Sequence, residues 1–417
     1  MSTGPRPPRG SHTPGPHTAG PHSRTPAHDQ QASSGSVATS TPTVALVHDW
    51  LVTLRGGERV LDALCELFPD ATLHTLVRQP GIATPRIEAM RHAPSLADRL
   101  PLAHHHHRWL LPVYPTAIEA LDLSAYDLVL SSSHCVAKGA IAAPGAIHVC
   151  YCHTPVRYAW DRTDDYLRGT TPALQLARPA IDLAARWLRR WDLQTAGRVD
   201  LYVANSQNTA NKIKQFYGRS AIVVPPPVQC ERFAPFARSQ PGGDYDLVLG
   251  GLVPYKRVDL AVQAYAELPE RKLIIVGDGP ERQRLQALAG PNVQFVGRAP
   301  EAELPKWYAG ANMLIFPGEE DFGIVPLEAQ ACGVPVVALG RGGALESVIA
   351  DQTGVFFSHE TPHSVAVAVR KLVQNPLQPA ACRANAQRFD RPQFLQRMTA
   401  AIALAYQQRA SRAQQAA

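Results

Sequence analysis

"GEEDFGIVPLEAQACGVPVV", Gly318 to Val337, follows the apolar run "ANMLIFP" and leads into a second one, "VPVVALG". Short apolar runs on either side of one helix-length segment make a strand–loop–helix–strand unit, the repeat of a parallel sheet. In such a sheet ligands bind beyond the carboxyl ends of the strands, so Gly318 to Ile324 occupy a ligand-binding position. Pro326 suits the first turn of the helix "PLEAQAC" and Gly333 suits its end. That placement puts Glu328 in the first turn on the ligand side, with Glu320 on the loop opposite. Two carboxylates there can grip two sets of hydroxyls. Capping alone is a poor account of Glu328, because Val325 stands where a capping box needs Ser, Thr, Asp or Asn.

Outward from this unit the rhythm repeats. "TVALVHD", "ATLHTLV", "YDLVLSSS", "AIHVCYC", "VDLYVANS" and "SAIVVPP" are expected strands, with helices such as Gly57 to Phe68 and Gln207 to Tyr217 between them. The Pro- and Gly-rich stretch Pro225 to Asp244 interrupts the series, which resumes with "DLVLGGL", "KLIIVGDG", "NVQFVG", "ANMLIFP", "VPVVALG" and "GVFF". The fold class is therefore α/β, with two doubly wound domains. The expected divisions are a Pro/Ser/His-rich tail over 1–42, a first domain over 43–228, a second over 229–390, and a last helical segment over 391–417 that crosses back to the first domain. The tail has hardly a large apolar side chain and is expected to be disordered, and its His12, His17, His22 and His28 have no regular metal-ligand spacing.

Composition limits the function classes. At 417 residues the chain is too long for one small binding module. A formal charge of +6 and a pI near 9 suit a phosphorylated ligand or an anionic surface, and they do not single out nucleic acid. Seven cysteines, mostly inside apolar runs, are those of a reduced cytoplasmic protein, and no apolar run approaches the length of a spanning helix.

Several segments carry candidate chemistry. "VPYKRVD" places Lys256 and Arg257 after the first strand of the second domain, where a cation can stabilise a diphosphate as charge develops on it. "LRGGERV" opens a helix after the first strand, so Gly56 and Gly57 permit close backbone approach to a phosphate. "CYCHTPVRYAWD" puts His153 at the end of a strand, followed by Arg157, Tyr158, Trp160 and Asp161, which offer a cation, aromatic faces and a carboxylate to a sugar or acceptor phosphate. Packing is the competing account of Trp160. The triplet "DYD", Asp244 to Asp246, has the form of a metal-binding motif but opens a strand, at the wrong end of the sheet. "ARWLRRWDL" and "LAHHHHRWLLP" are basic and aromatic together, a composition shared by half-buried helices and by surfaces that meet anionic lipid.

The block from "FVGRAPEAELPKWYAGANMLIFPGEEDFG" through "RGGALESV" resembles the C-terminal half of glycosyltransferase family 4. "HDWLVTLRGGERVLDALCELFPDATLHTLV", "SSSHCVAKGA" and "ANSQNTANKIKQFYG" are similar to a bacterial, mannosyltransferase-like subgroup of that family. The resemblance implies the GT-B fold, with the active site between two Rossmann-like domains. It also implies retaining, metal-independent transfer of a hexose from a nucleotide-diphosphate sugar, GDP-mannose foremost, with no further cofactor. The implied acceptor is a lipid-linked or polysaccharide chain, met in the cytoplasm with peripheral contact to an anionic membrane. His153, Glu320 and Lys256 are then the catalytic candidates, Gly56, Gly57, Arg257, Phe322, Gly323, Ile324 and Glu328 the donor-binding ones, and Arg157, Tyr158, Trp160 and Asp161 the acceptor-binding ones. One departure stands out: the arginine usual five residues before the lysine is Gly251 here. Two other classes remain open, an NAD-dependent oxidoreductase suggested by Gly277-x-Gly279 and a non-catalytic sugar-binding relative.

Overall fold

The computed structural model describes residues 42–54, 56–100, 103–156, 160 and 178–416. The N-terminal tail lies outside them. Two parallel sheets organise the described residues. The first has the order β3-β2-β1-β4-β5-β6-β7, built from Arg91–Pro94, Thr72–Arg78, Val44–Leu51, Leu128–Ser133, Ile147–Cys152, Leu201–Ala204 and Ala221–Val223. The second has the order β10-β9-β8-β11-β12-β13, built from Val293–Gly297, Leu273–Val276, Tyr245–Leu249, Ala311–Phe316, Val336–Leu339 and Gly354–Phe357. Each order reverses direction beside its first strand, between β1 and β4 and between β8 and β11. Those are the two positions at which a doubly wound sheet opens a crevice.

Eleven of the twelve other strands follow the apolar runs closely, and β8 begins inside the "DYD" triplet. The strand missed in the sequence is β3, "RHAP", an edge strand whose side chains are exposed or half-buried. It carries no apolar pattern because only its backbone is needed, to pair with β2. The helix after β11 also differs from expectation. It runs Ile324–Ala331, behind Gly323 at φ 84°, so Glu328 is its fifth residue and lies in the second turn.

The chain passes between the two sheets twice, at one place. Val228 and Asp390 form an isolated parallel bridge, Val228 N–H donates to the Phe389 carbonyl at 2.9 Å, and Arg391 N–H donates to the Val228 carbonyl at 3.1 Å. The last helix, Arg391–Ala416, packs Phe394, Met398, Ala401, Ile402 and Ala405 into the core of the first sheet. Its first residue, Arg391, is paired with Asp62 at 2.7 Å and Glu66 at 2.6 Å.

All seven cysteines are free, and six are buried. No helix of the described residues is long and apolar enough to cross a membrane. The first sheet also encloses an ion pair, Lys138–Asp192 at 2.9 Å, with both side chains essentially inaccessible to water. Asp192 further accepts from Trp160 Nε1 and from the Tyr217 hydroxyl, each at 2.8 Å. Removing one member strands the other charge in the core. Lys138→Met is accordingly expected to cost about 3–5 kcal/mol, measured by urea unfolding.

Burial pushes His48 and His148 down from 6.5 to about 4. The folded chain keeps both neutral while the unfolded chain protonates them below 6.5, so their contribution is complete above that pH and is lost as the pH falls toward 4. Unfolding free energy should therefore fall across that window, by on the order of 3 kcal/mol per histidine. His148→Gln should flatten the slope.

Candidate functional site

The carboxyl edge of the second sheet builds one wall. Lys256 closes the turn Pro254–Lys256 after β8, and its Nζ lies 2.6 Å from Glu320 Oε1 on the loop after β11. Gly318 is required between them, because a Cβ there would sit 2.6 Å from the Lys256 Cα. Lys256, Glu320, Gly250, Gly251 and Gly318 line one recess at this switch point. The next Gly-rich turn, Gly342-Gly343, supports the same loop from behind: Gly343 N–H donates to the Glu320 carbonyl at 2.9 Å. Its close approach is thus to the Glu320 segment itself.

Arg257 turns away from this recess. It adopts φ 49° and its guanidinium engages Asp259 and Glu360, the latter shared with Arg341. In this arrangement Arg257 does not bring its charge to the Gly251 side of the recess. Asp246 of the "DYD" triplet is equally committed, fully buried and held by Arg271 Nε and Nη2, each at 2.6 Å, and by the Tyr265 hydroxyl. Gly277 and Gly279 pack against the Gly250 and Leu252 main chains, so their small size serves loop-to-loop contact, not a pyrophosphate turn.

Glu328 is buried. The Tyr308 hydroxyl donates to its Oε2 at 2.7 Å, and Arg59 pairs with its Oε1. Arg59 belongs to the helix Gly56–Leu67 of the first domain, so this contact crosses the cleft. Its guanidinium also meets Glu301 at 3.0 Å, and Arg232 meets the same carboxylate at 2.8 Å. Burial lowers the Arg59 pKa from its ordinary value, with Glu301 the main opposing influence. Two further contacts cross nearby. Lys212 pairs with Asp321 at 3.0 Å, and Glu346 accepts the Gln207 and Asn208 N–H groups at 2.7 and 2.9 Å, at the start of the helix Gln207–Tyr217. Arg59, Lys212, Asp321 and Glu346 were missed in the sequence, although Arg59 stands two residues after the Gly-Gly turn.

The first domain supplies the opposite wall. Gly56 lies against Ile324, where an added Cβ would meet Ile324 Cγ2 at 3.9 Å. Gly57 lies over the His153 and His48 rings, its own Cβ position 3.7 Å from His153 Nε2. His153 is fixed by its N–H to the Ser133 carbonyl, by Asn205 Nδ2 donating to its carbonyl at 2.8 Å, and by Ser132 Oγ at 2.8 Å from Nε2. Asp49 beneath accepts four successive N–H groups, His134 to Ala137, at 2.7–2.9 Å, which sets the turn after β4.

Of the acceptor candidates, Arg157, Tyr158 and Asp161 lie outside the described residues. Trp160 is engaged structurally: its N–H goes to Asp192, and its ring stacks on Phe216 at 4.5 Å beneath Arg189. That arrangement is the packing account of Trp160. Trp191 is also buried, donating to Glu119 at 2.9 Å, whereas Trp187 on the same helix is exposed.

With two Rossmann-like domains meeting across a cleft lined by Gly56, His153, Lys256, Glu320 and Glu328, sequence comparison decides the family. The profile described as Glycosyltransferase Family 4 matches residues 54–232, and that described as Glycosyl transferases group 1 matches residues 236–389. The chain belongs to glycosyltransferase family 4. As a family-4 glycosyltransferase it is similar to a GDP-mannose-dependent alpha-(1-6)-phosphatidylinositol monomannoside mannosyltransferase of Mycolicibacterium smegmatis, 35% identical over 44% of this chain and 55% of that protein. A D-inositol 3-phosphate glycosyltransferase of Catenulispora acidiphila is 30% identical over 52% of this chain and 56% of that one. The matches thus span about half the length of these curated relatives. The GT-B fold is shared with Anabaena HepE solved with UDP and glucose, at TM-score 0.64, 18% identity and coverage of 87% of this chain and 100% of that one. It is shared too with sucrose-phosphate synthase from Thermosynechococcus elongatus, at TM-score 0.66, 18% identity, 89% of this chain and 100% of that one. Family membership removes the oxidoreductase reading.

Arg59→Ala should leave Glu328 without its cross-cleft cation and lower stability by about 1.5–3 kcal/mol in thermal or urea unfolding. Glu301→Ala, which removes an exposed carboxylate, should cost well under half of that.

Proposed function

We propose that this chain is a retaining, metal-independent glycosyltransferase that moves mannose from GDP-mannose to a lipid-linked or polysaccharide acceptor. The observation that carries the reading is the Lys256–Glu320 pair at the switch point of the second sheet, a cation and a carboxylate on adjoining loops at the carboxyl edge. The relative named for GDP-mannose supports the donor. Lys256 stabilises the departing diphosphate. Glu320 and Glu328 hold donor hydroxyls, while the main chain of Gly56, Gly57, Phe322, Gly323 and Ile324 gives close approach. His153 bonds a hydroxyl of the transferred sugar, and Arg157, Tyr158 and Asp161 are the proposed acceptor-binding residues.

In the transfer, the bond from the anomeric carbon to the diphosphate oxygen breaks as the bond to the acceptor oxygen forms on the same face. The acceptor proton passes to the departing diphosphate. Work at the inner membrane face fits the helix Arg178–Thr195, on which Leu183 and Trp187 are exposed beside Arg186 and Arg190, so pelleting with anionic vesicles is expected.

The test is thermal stabilisation by GDP, UDP and ADP in chelator, followed by turnover with the matching sugar. A hundredfold excess of nucleotide over its dissociation constant gives about 2.7 kcal/mol. GDP should stabilise selectively, and Lys256→Ala should lower kcat about 10²–10³-fold. Stabilisation by UDP or ADP instead reassigns the donor, and turnover abolished by chelator overturns metal independence.

A further inference from the structure

Beneath Gly57 a hydrogen-bonded chain runs across three adjacent strands. His48 on β1 and Ser132 on β4 are register partners, and Ser132 is opposite Tyr151 on β5, two residues before His153. The period of two therefore brings His48, Ser132 and His153 to one face of the sheet. Ser132 Oγ lies 3.1 Å from His48 Nδ1 and 2.8 Å from His153 Nε2. His48 and Ser132 are both fully buried.

A hydroxyl has one proton, so Ser132 donates to one ring and accepts from the other. His48 decides the direction. Burial keeps it neutral, with a single N–H. Its Nε2 has no hydrogen-bond partner among the described residues. The N–H consequently belongs on Nδ1, facing Ser132; on Nε2 it would be a buried donor with no acceptor. Ser132 O–H is then left to donate to His153 Nε2, and the His153 proton must reside on Nδ1. The free side chain prefers the opposite tautomer, with its proton on Nε2.

We propose that His48 and Ser132 are positioning residues that hold His153 as its Nδ1–H tautomer, making that N–H the donor to a hydroxyl oxygen of the transferred sugar. The last clause rests on the role given to His153 above; the tautomer does not. An orienting hydrogen bond of this kind does what second-shell partners do for metal-bound histidines, fixing which nitrogen is protonated.

The experiment is long-range ¹H–¹⁵N correlation on the full chain labelled with ¹⁵N-histidine, at neutral pH, with the His153 signals assigned from His153→Gln. The wild-type chain should show His153 protonated at Nδ1. Ser132→Ala and His48→Leu should return it to Nε2–H, whereas His48→Asn, whose amide N–H can stand in for Nδ1–H, should preserve it. If His48→Leu does not fold, Ser132→Ala, which loses one oxygen atom, carries the test. In turnover assays Ser132→Ala should lower kcat roughly ten- to a hundredfold with donor KM little changed. A wild-type Nε2–H signal, or a tautomer unmoved in Ser132→Ala, overturns the relay whatever the kinetics. A tautomer that moves while kcat holds leaves the relay standing and removes His153 from the chemistry.

Discussion

A carboxylate taken out of water must be compensated by the protein, and Glu328 is such a carboxylate on the wall of the cleft. Among the described residues of its own domain, only the Tyr308 hydroxyl, a neutral donor, serves it. The cation comes from the other domain, in the first turn of the helix that opens at Gly56, as Arg59. The electrostatic need of one domain is therefore met by its neighbour, and the closed relation of the two walls follows from it. Lys212–Asp321 and the Glu346 contact with two main-chain N–H groups repeat the pattern farther along. A donor that binds between the walls enters a site whose charges are already paired, and it has to replace those partners as well as fill space.

The glycines of the cleft show how the same residue type serves two ends. Gly56 and Gly57 thin the first wall, where Ile324 and His153 approach. Gly318 and Gly343 let neighbouring loops of the second wall stack backbone against backbone, so that Glu320 is held by main chain while its side chain meets Lys256. Glycine-rich turns at the crevice are thus partly the binding surface and partly its support.

Much of the fold was legible because both sheets are buried on two faces, and continuous apolar runs of four to eight residues mark such strands. β3 escaped because "RHAP" pairs through backbone alone. The Glu pair, Lys256 and the Gly-Gly turn could be placed because strand ends fix where loops go. Their partners could not. Arg59 and Glu328, or Glu346 and Gln207, lie far apart in sequence and carry no shared period, so only the assembled cleft brings them together. The packing of Trp160 was hidden for a related reason: an aromatic beside a site has the same composition whether it faces ligand or, as here, gives its N–H to a buried aspartate. Glu328 slipped by one turn because Pro326 is tolerated at the third helical position as well as the first.

The last helix has a consequence for the order in which this chain can be completed. Its Phe394, Met398 and Ile402 belong to the core of the first sheet, whereas the cores around the second sheet are drawn from one continuous stretch, Val228 to Phe389. As the polypeptide leaves the ribosome, the domain synthesised earlier of the two is the later one able to bury its full core, and it waits with an apolar face open until Arg391–Ala416 emerges. The second domain closes while its predecessor is still unfinished. Synthesis order and folding order are inverted by a single helix.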